Sequence, residues 1–329
     1  MQKIIAENIK VTTLNKSKVE ISGKIETGVF SMFRKKALDN INNEITIDGF
    51  RKGKVPENIL ISKIGEMSIL EEMAELAISQ VYPEIVLNNK IEAIGRPEIS
   101  ITKLAKDNPL EFKIITAVIP EIKLSDYKKI AKEIITEEEK KKTIDTIEVT
   151  DKEVADAMEK IKSSHKDHTG HDHDSPEVKE KIKNYLLEDK KSQAREKRRI
   201  TIFDKLIETS TMDIPDILIE SELKRIESQF TDDIKRMNVK LEDYLTHAKK
   251  NIEEIRKEWK PYAEKKAKLQ LILNKIADQE KIIADKADIE NEVKHILNHY
   301  KDANKESAYT YAETVLTNDK VFQFLENQK

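Results

Sequence analysis

Two stretches of this chain carry side chains whose types and spacing could do chemistry. The first is a histidine run with carboxylates between the imidazoles: His165, His168, His171 and His173, with Asp167, Asp172 and Asp174. Neutral imidazoles and carboxylates are ligands that Zn²⁺ and Ni²⁺ both accept. The run holds one glycine and has no apolar support, so it cannot fix ligand geometry by itself. Two interpretations stay open, a metal-binding segment and a solvated connector between helices, and the composition favours the connector.

The second stretch is "GFRKGKVP", a basic loop in a chain that has only seven glycines. Its candidate binding residues are Gly49, Phe50, Arg51, Lys52, Gly53, Lys54 and Pro56. The glycines permit positive φ and a tight turn, so the tip should face outward, where its cations can bind phosphate or carboxylate groups. One aromatic ring among cations suits RNA or a ribonucleoprotein surface. The alternative is an ordinary turn with Phe50 folded into the chain's own core.

The other histidine and charged stretches predict solvent-exposed helix surface rather than metal-binding, nucleic-acid-binding or catalytic sites. His295 and His299 stand four residues apart, a spacing that can chelate a metal, but "HILNH" lacks the glutamate of a metalloprotease helix. The basic run 190–199 is interrupted by Glu196, which predicts a solvated helix face with pairs three or four residues apart. No phosphate-binding glycine loop, nucleophile elbow or acid/base pair occurs, so we predict no catalytic residue, no enzyme and no cofactor.

Composition narrows the class of protein. Of the 329 residues, 38% are hydrophobic, 37% charged and only 5% aromatic, which predicts long helices with small cores. The net charge of −3 disfavours general polyanion binding, so any nucleic-acid contact must come from a local patch. Cysteine is absent, which excludes disulfides and thiolate chemistry. The start of the chain does not resemble a signal peptide and no long apolar run occurs, so we expect a cytoplasmic protein without a membrane partner.

The pattern of apolar residues predicts an α+β chain. Alternation in "KVEISGKI", "PEISITKL" and "PLEFKIITAVIP" predicts three half-buried strands. Helical spacing predicts two helices between the first and second of them, one capped by Thr27 and one ending at Pro83. The two helices should pack on one antiparallel sheet, with the basic loop between them.

After Pro120 the sequence predicts helices only. Residues 131–146 are mostly charged and predict a linker or a solvated arm. Thr150 and Glu153 form a capping-box signature, and Ser175 with Pro176 marks the start of a second helix. The amphipathic stripes of these helices are either buried in a bundle or partly exposed as binding surfaces.

Beyond these patterns, "IDGFRKGKVPENI" resembles the ribosome-docking signature of the trigger factor family of chaperones. "IEAIGRPEISI" and "LEFKIITAVIPEIKL" resemble the closing strands of that family's N-terminal domain, and "IEVTDKEVADAMEKI" resembles its linker helix. "MDIPDILIESELKRI" resembles its helical chaperone domain. The resemblance covers nearly the whole chain.

The resemblance implies an organisation and a function. Residues 1–122 would be a small mixed α/β ribosome-binding domain, 123–150 a linker, and 151–329 an elongated all-α chaperone domain with helical arms. Phe50, Arg51 and Lys52 would dock on the large ribosomal subunit at the exit tunnel, against a ribosomal protein and rRNA. The helical half would hold unfolded nascent polypeptides weakly and release them without ATP, and the chain could form a homodimer off the ribosome.

One departure from the family pattern concerns catalysis. Most members insert a prolyl-isomerase domain, related to the FK506-binding proteins, after the linker helix. Here a histidine-rich loop at 163–175 occupies that place. We therefore expect a member without the isomerase domain, and keep a peptidyl-prolyl isomerase and a metal-binding protein as alternative functions.

Overall fold

The computed structural model describes residues 6–140, 148–164, 176–300 and 303–328. This part of the chain forms four strands and twelve helices. The chain divides into two compact units, Met1–Glu121 with Met212–Glu264, and Ile122–Thr211 with Lys265–Lys329. The histidine run at His165, His168, His171 and His173 lies outside the described residues.

The first unit contains one antiparallel sheet. Its strands are β1 (Glu7–Leu14), β2 (Lys18–Ile25), β3 (Ala93–Lys103) and β4 (Leu110–Val118). They lie in the order β1-β2-β4-β3. The three strands expected from alternation are present, but β3 is not half-buried as predicted, because its residues 98–103 are all exposed. The sequence analysis missed β1 because this edge strand exposes most of its side chains and shows no clear apolar alternation.

Four helices accompany the sheet. They are α1 (Thr27–Ser31), α2 (Arg34–Glu44), α3 (Glu57–Ile64) and α4 (Glu66–Asn88). The central strands β2 and β4 pair Ile21 with Ile114, and both side chains are fully buried. They belong to the same core cluster as Ile78 and Val81 of α4. Burial of this apolar area supplies the main driving force for folding the unit.

Two predicted helix boundaries are wrong. Thr27 does not cap a helix, because Glu26 is the N-cap residue of α1 and makes no side-chain capping bond. Pro83 does not end α4, which continues to Asn88. A proline inside a helix costs a backbone hydrogen bond. Apolar residues on both sides of Pro83, Val81 and Ile85, are buried in the core, and this packing overrides the local preference.

The remaining described residues form helices and their connections. Its helices are α5 (Tyr127–Lys140), α6 (Asp151–Ser164), α7 (Pro176–Thr209), α8 (Asp216–Arg236), α9 (Leu241–Ala248), α10 (Ile252–Glu280), α11 (Lys286–His299) and α12 (Lys305–Glu326). Residues 131–140 of the stretch predicted as a linker or solvated arm lie in α5, where Ala131 and Ile135 are buried. None of the described helices is long and apolar enough to cross a membrane.

The hairpin turn between β1 and β2 is bound to the start of α8. Lys16 and Ser17 both have positive φ, 59° and 45°. Their backbone N–H groups donate to one carboxylate oxygen of Asp213, and Ser17 Oγ donates to the Asp213 carbonyl at 2.5 Å. Lys16 Nζ donates to both carboxylate oxygens of Asp216, at 3.0 and 2.9 Å. We call these four residues the hairpin clasp, and it joins the sheet to the 212–264 segment of the same unit.

In the second unit, the basic run on α7 pairs mainly with other helices. Arg198 Nε donates to Glu138 of α5 at 2.6 Å, and Arg199 Nε donates to Glu326 of α12 at 2.9 Å. The two arginine side chains are only 14% and 25% exposed. The predicted solvated face is therefore wrong at these arginines. A pair within the helix, as predicted, joins Lys191 to Glu188.

The capping box at the start of α6 is confirmed. Thr150 N–H donates to Glu153 Oε2 at 2.9 Å, and Glu153 N–H donates to Thr150 Oγ1 at 3.3 Å. Lys190 Nζ of α7 donates to the same Glu153 oxygen at 2.7 Å. The bond from Lys190, followed by those from Thr150, lowers the pKa of Glu153 to about 2.

This pKa predicts an acid-dependent contribution to stability. A carboxyl whose pKa is lowered by folding stabilises the fold above its ordinary pKa, 4.5, and the contribution disappears as the pH falls toward about 2. We expect Glu153→Gln to lower the urea midpoint of unfolding at pH 7. The difference in midpoint between this variant and the unmodified chain should shrink as the pH falls from 4.5 toward about 2. Glu159→Gln, an exposed position on the same helix, is the control. A gap that stays constant with pH would contradict the assignment.

Candidate functional site

The basic loop joins α2 to α3 and consists of two consecutive turns. Phe50 N–H donates to the Ile47 carbonyl at 3.1 Å, and Lys54 N–H donates to the Arg51 carbonyl at 2.9 Å. The third residue of each turn is a glycine with positive φ, 86° at Gly49 and 78° at Gly53. This is the geometry of a type II turn, which favours glycine at that position. The expectation that these glycines shape the loop is confirmed in the backbone.

Asn42, in the last turns of α2, anchors the loop. Its carbonyl accepts the Gly53 N–H at 2.9 Å. Its side chain donates to the Val55 carbonyl at 2.9 Å and accepts the Val55 N–H at 3.1 Å. Val55 is 5% exposed and fixes the loop's exit in the core. The sequence analysis missed both Asn42 and Val55. The signal that could have found them is an asparagine near the helix end, a residue type that readily bonds nearby backbone.

The three cations of the loop point to solvent. Arg51, Lys52 and Lys54 are exposed, and none of them forms an ion pair with any residue that the structure describes. Phe50 is half-buried and Pro56 is exposed. Phe50 is not among the buried core residues, so it is not folded fully into the core as in the alternative interpretation. The loop thus presents a concentrated positive charge beside a partly accessible ring.

A groove of about 600 Å³ lies beside the loop, between α2 and α3. Its apolar walls include Met32, Leu38, Val55 and Leu60. Met32 is 56% exposed, so apolar surface is available next to the loop's cations. A partner with an anionic group beside an apolar side chain fits this arrangement chemically.

One ion pair fixes a wall of this groove. Arg34 donates two hydrogen bonds to Glu66, at 2.5 and 3.1 Å, and so ties α2 to the start of α4. These bonds from Arg34 lower the pKa of the Glu66 carboxyl. Such a bidentate arginine–carboxylate pair is among the stronger side-chain contacts. Arg34 is therefore a structural residue, in contrast to the cations of the loop.

The two turn glycines differ in the space around them, which gives a prediction. A Cβ at Gly53 would lie 2.6 Å from Asn43 Oδ1, whereas one at Gly49 meets nothing within 4 Å. Alanine at either position must adopt positive φ, which costs about 1 to 2 kcal/mol. We expect Gly53→Ala to speed hydrogen exchange of the Val55 amide by about 5- to 30-fold or more. Gly49→Ala is the control and should have the smaller effect; equal effects would contradict the anchoring role of this turn.

The remaining candidate sites hold no metal centre in the described residues. His295 and His299 are exposed on α11 with ring centroids 4.6 Å apart, as predicted for surface histidines. Within the part of the chain that the structure describes, no three residues of the metal-ligating types cluster. The run from His165 to His173 lies outside that part, so its metal binding stays a hypothesis.

Comparisons with known proteins agree along the length of the chain. The model for bacterial trigger factor protein matches residues 7–161, and the model for its C-terminus matches residues 176–329. A trigger factor of Carboxydothermus hydrogenoformans is 24% identical, covering 93% of this chain and 94% of the relative. One of Halalkalibacterium halodurans is 24% identical, covering 81% and 84%. A solved trigger factor chaperone, from work on promiscuous substrate recognition, has a TM-score of 0.57 at 15% identity and covers 98% of this chain and 100% of its own.

The alignments also locate the difference in length. The C. hydrogenoformans alignment runs over 412 positions although this chain has only 329 residues, so the chain lacks about a hundred positions of that relative. The two family models leave only residues 162–175 between them. That interval is far too short for a domain, which typically needs at least about 50 residues. The chain belongs to the bacterial trigger factor family and lacks a separate domain between the two matched parts.

Proposed function

We propose that this chain is an ATP-independent chaperone that docks at the ribosomal exit tunnel and shields nascent polypeptides during folding. Membership of the trigger factor family and a fold similar to that of a solved trigger factor chaperone support the function. The observation that carries the docking step is the basic loop itself. Its backbone is held by Asn42 and two turn glycines, while its three cations stay unpaired among the described residues.

The proposed docking residues have separate physical roles. Gly49 and Gly53 shape the turns, and Pro56 leads into α3 as its N-cap residue. Arg51, Lys52 and Lys54 bind rRNA phosphates and acidic side chains of a ribosomal protein, because phosphate contacts position a protein without reading sequence. Phe50 places its half-buried ring in an apolar or stacking pocket of the partner.

The proposed client-binding role falls to the helical segments. Several large apolar side chains there are exposed: Tyr185, Met237, Tyr262, Ile283, Tyr300 and Tyr311. Scattered, shallow apolar contacts bind many sequences weakly, and several weak contacts together give useful avidity with fast release. The domain organisation proposed is the one implied by the resemblance, with a ribosome-binding domain at 1–122 and a helical chaperone domain at 151–329. A homodimer off the ribosome and a cytoplasmic location complete the proposal.

Cosedimentation with purified ribosomes at near-physiological salt tests this function directly. The unmodified chain should pellet with ribosomes, and the bound fraction should fall as salt rises because phosphate contacts release counterions. A chain that stays in the supernatant at every salt concentration would overturn the proposal.

Peptidyl-prolyl isomerase activity is the family function that the chain length argues against. Only 14 residues, 162–175, separate the two family-model matches. We expect no acceleration of a proline-limited refolding reaction at substoichiometric amounts of this chain, measured against a free FK506-binding protein as positive control. Clear catalysis that is retained after deletion of residues 165–174 would show that another part of the chain is an isomerase.

A further inference from the structure

The outer edge of strand β3 is open among the described residues. In the sheet order β1-β2-β4-β3, this strand is terminal and pairs only with β4. Alternate backbone N–H and C=O groups of an edge strand point away from the sheet and have no strand partner. Residues 98–103 are all exposed. The edge therefore retains the hydrogen-bonding capacity to accept one more strand.

Two isoleucines make this edge apolar. Ile99 lies opposite Ile114 and Ile101 lies opposite Phe112, and both partners on β4 are buried in the core. Residues paired across strands share one face of the sheet, so Ile99 and Ile101 continue the core face outward. They are 49% and 40% exposed. Ile99 and Ile101 thus form an exposed apolar surface on β3, next to the core of the first unit.

The chemistry of the stretch selects an extended partner. Natural sheets usually protect edges with lysine, proline or a bulge, and β3 carries Pro97 and Lys103, so the unprotected part is the uncharged stretch Ile99–Thr102 between them. Here the pairing irregularities lie before Glu98 and after Ile101, and the pairing between them is regular. An added strand would satisfy the open backbone groups and place its own alternate side chains on the isoleucines.

We propose that β3 binds an extended apolar segment of an unfolded polypeptide by strand addition. This inference rests on the proposed chaperone function and gives it a second, backbone-directed mode of client contact. Backbone bonds are independent of sequence, so this edge suits varied clients. The regular stretch Glu98–Ile101 is too short for the roughly 1,200 Å² that a stable protein interface buries, which favours a transient client over a second copy of this chain.

The opposite edge of the sheet provides a matched control. Strand β1 is also terminal, and each edge strand carries a lysine, Lys10 on β1 and Lys103 on β3. The two edges differ in apolar content, because β1 exposes a single large apolar residue, Val11, at 38%, whereas β3 exposes two isoleucines. Substitutions on β1 therefore change edge composition without changing the proposed binding edge.

The test measures binding of a defined peptide to the full chain by fluorescence anisotropy. The probe is a fluorescein-labelled peptide of alternating valine and threonine, and its twin carries N-methyl groups on all backbone amides, so that neither of its edges can donate. We expect the methylated twin to bind about tenfold or more weakly, because it cannot donate the strand-to-strand bonds. Ile99→Asp with Ile101→Asp should cause a similar loss, and Val11→Asp should not. Ile99→Thr with Ile101→Thr checks the result in a variant that keeps strand propensity.

Each contrary result has a distinct meaning. Equal binding of the parent and methylated peptides would overturn strand addition. A dimer in sedimentation velocity that disappears in the aspartate variant, with peptide binding unchanged, would show that a second copy occupies the edge and also overturn it. Ribosome cosedimentation of the aspartate variant is measured in parallel. If wild-type peptide binding is absent while cosedimentation persists, this inference fails and the proposed docking stands.

Discussion

Replacing Phe50, Arg51 and Lys52 together by alanine is expected to abolish cosedimentation with ribosomes at near-physiological salt. The three side chains lie in one exposed loop. Among the described residues, Arg51 and Lys52 have no ion-pair partner, so both cations are available to bind the ribosome. A phosphate contact or a stacked ring typically contributes about 1 to 3 kcal/mol. The combined loss should weaken binding by about a hundredfold or more, beyond detection in a pelleting experiment.

The control for this prediction removes charge elsewhere on the same unit. Arg96→Ala with Lys103→Ala deletes two exposed cations from β3 and leaves the loop intact. This variant should pellet with ribosomes like the unmodified chain. Because the loop residues lie outside the buried core, the triple variant should also keep the far-UV circular dichroism and melting of the parent. Unchanged pelleting of the triple variant, or equal loss in the control, would show that the loop is not the docking element.

Arg199→Ala is expected to destabilise the packing of α12 in the second unit. The guanidinium donates to both carboxylate oxygens of Glu326, at 2.9 and 3.0 Å, and to Asp319 at 3.3 Å. The guanidinium carbon, Arg199 Cζ, also lies 4.9 Å from the ring centroid of Phe322. Its hydrogen bonds to Glu326 raise the pKa of Arg199, so it stays charged at all relevant pH values. Removing it leaves Glu326, which is 15% exposed, without this partner and costs about 2 to 3 kcal/mol.

The measurement is hydrogen exchange across α12, where the arginine's partners lie. The expected cost corresponds to about 30- to 150-fold faster exchange of its protected amides, provided they exchange by local opening. Arg195→Ala removes an exposed arginine from the same helix and should leave α12 unchanged. In the Arg199→Lys variant, the exchange rate of the α12 amides should lie between the rates of the unmodified chain and the Arg199→Ala variant, because lysine keeps the charge but cannot form the bidentate pair. Equal exchange in the Arg199→Ala and Arg195→Ala variants would contradict the role of Arg199.

The sequence predicted elements well where local pattern and final packing agree. Strands β2 and β4 alternate because one face is buried, and Thr150 with Glu153 forms its capping box from nearest neighbours. Prediction was wrong where distant partners decide. Pro83 lies inside α4 because core packing holds the helix on both sides. Arg198 is mostly buried, and its guanidinium donates a hydrogen bond to Glu138, which lies sixty positions earlier in the chain.

The basic loop shows the same division. Its glycines, cations and ring can be recognised from sequence, because residue type and spacing alone dictate a basic turn. The anchor could not be recognised in that way. Asn42 bonds Val55, 13 positions away, and only the folded path of α2 and α3 brings them together. The half-buried position of Phe50 is likewise a result of the folded environment.

The hairpin clasp has a consequence for the order of events during synthesis. All four strands of the sheet are complete by Val118, but the carboxylate that binds the β1–β2 turn comes from Asp213. At about 5 to 20 residues per second, a ribosome needs roughly 5 to 20 seconds to add the 95 residues between Val118 and Asp213. During that time two non-glycine residues must hold positive φ without their acceptor, or relax from it. The sheet can thus form early in translation, while its hairpin turn gains the Asp213 acceptor only after that residue has been added.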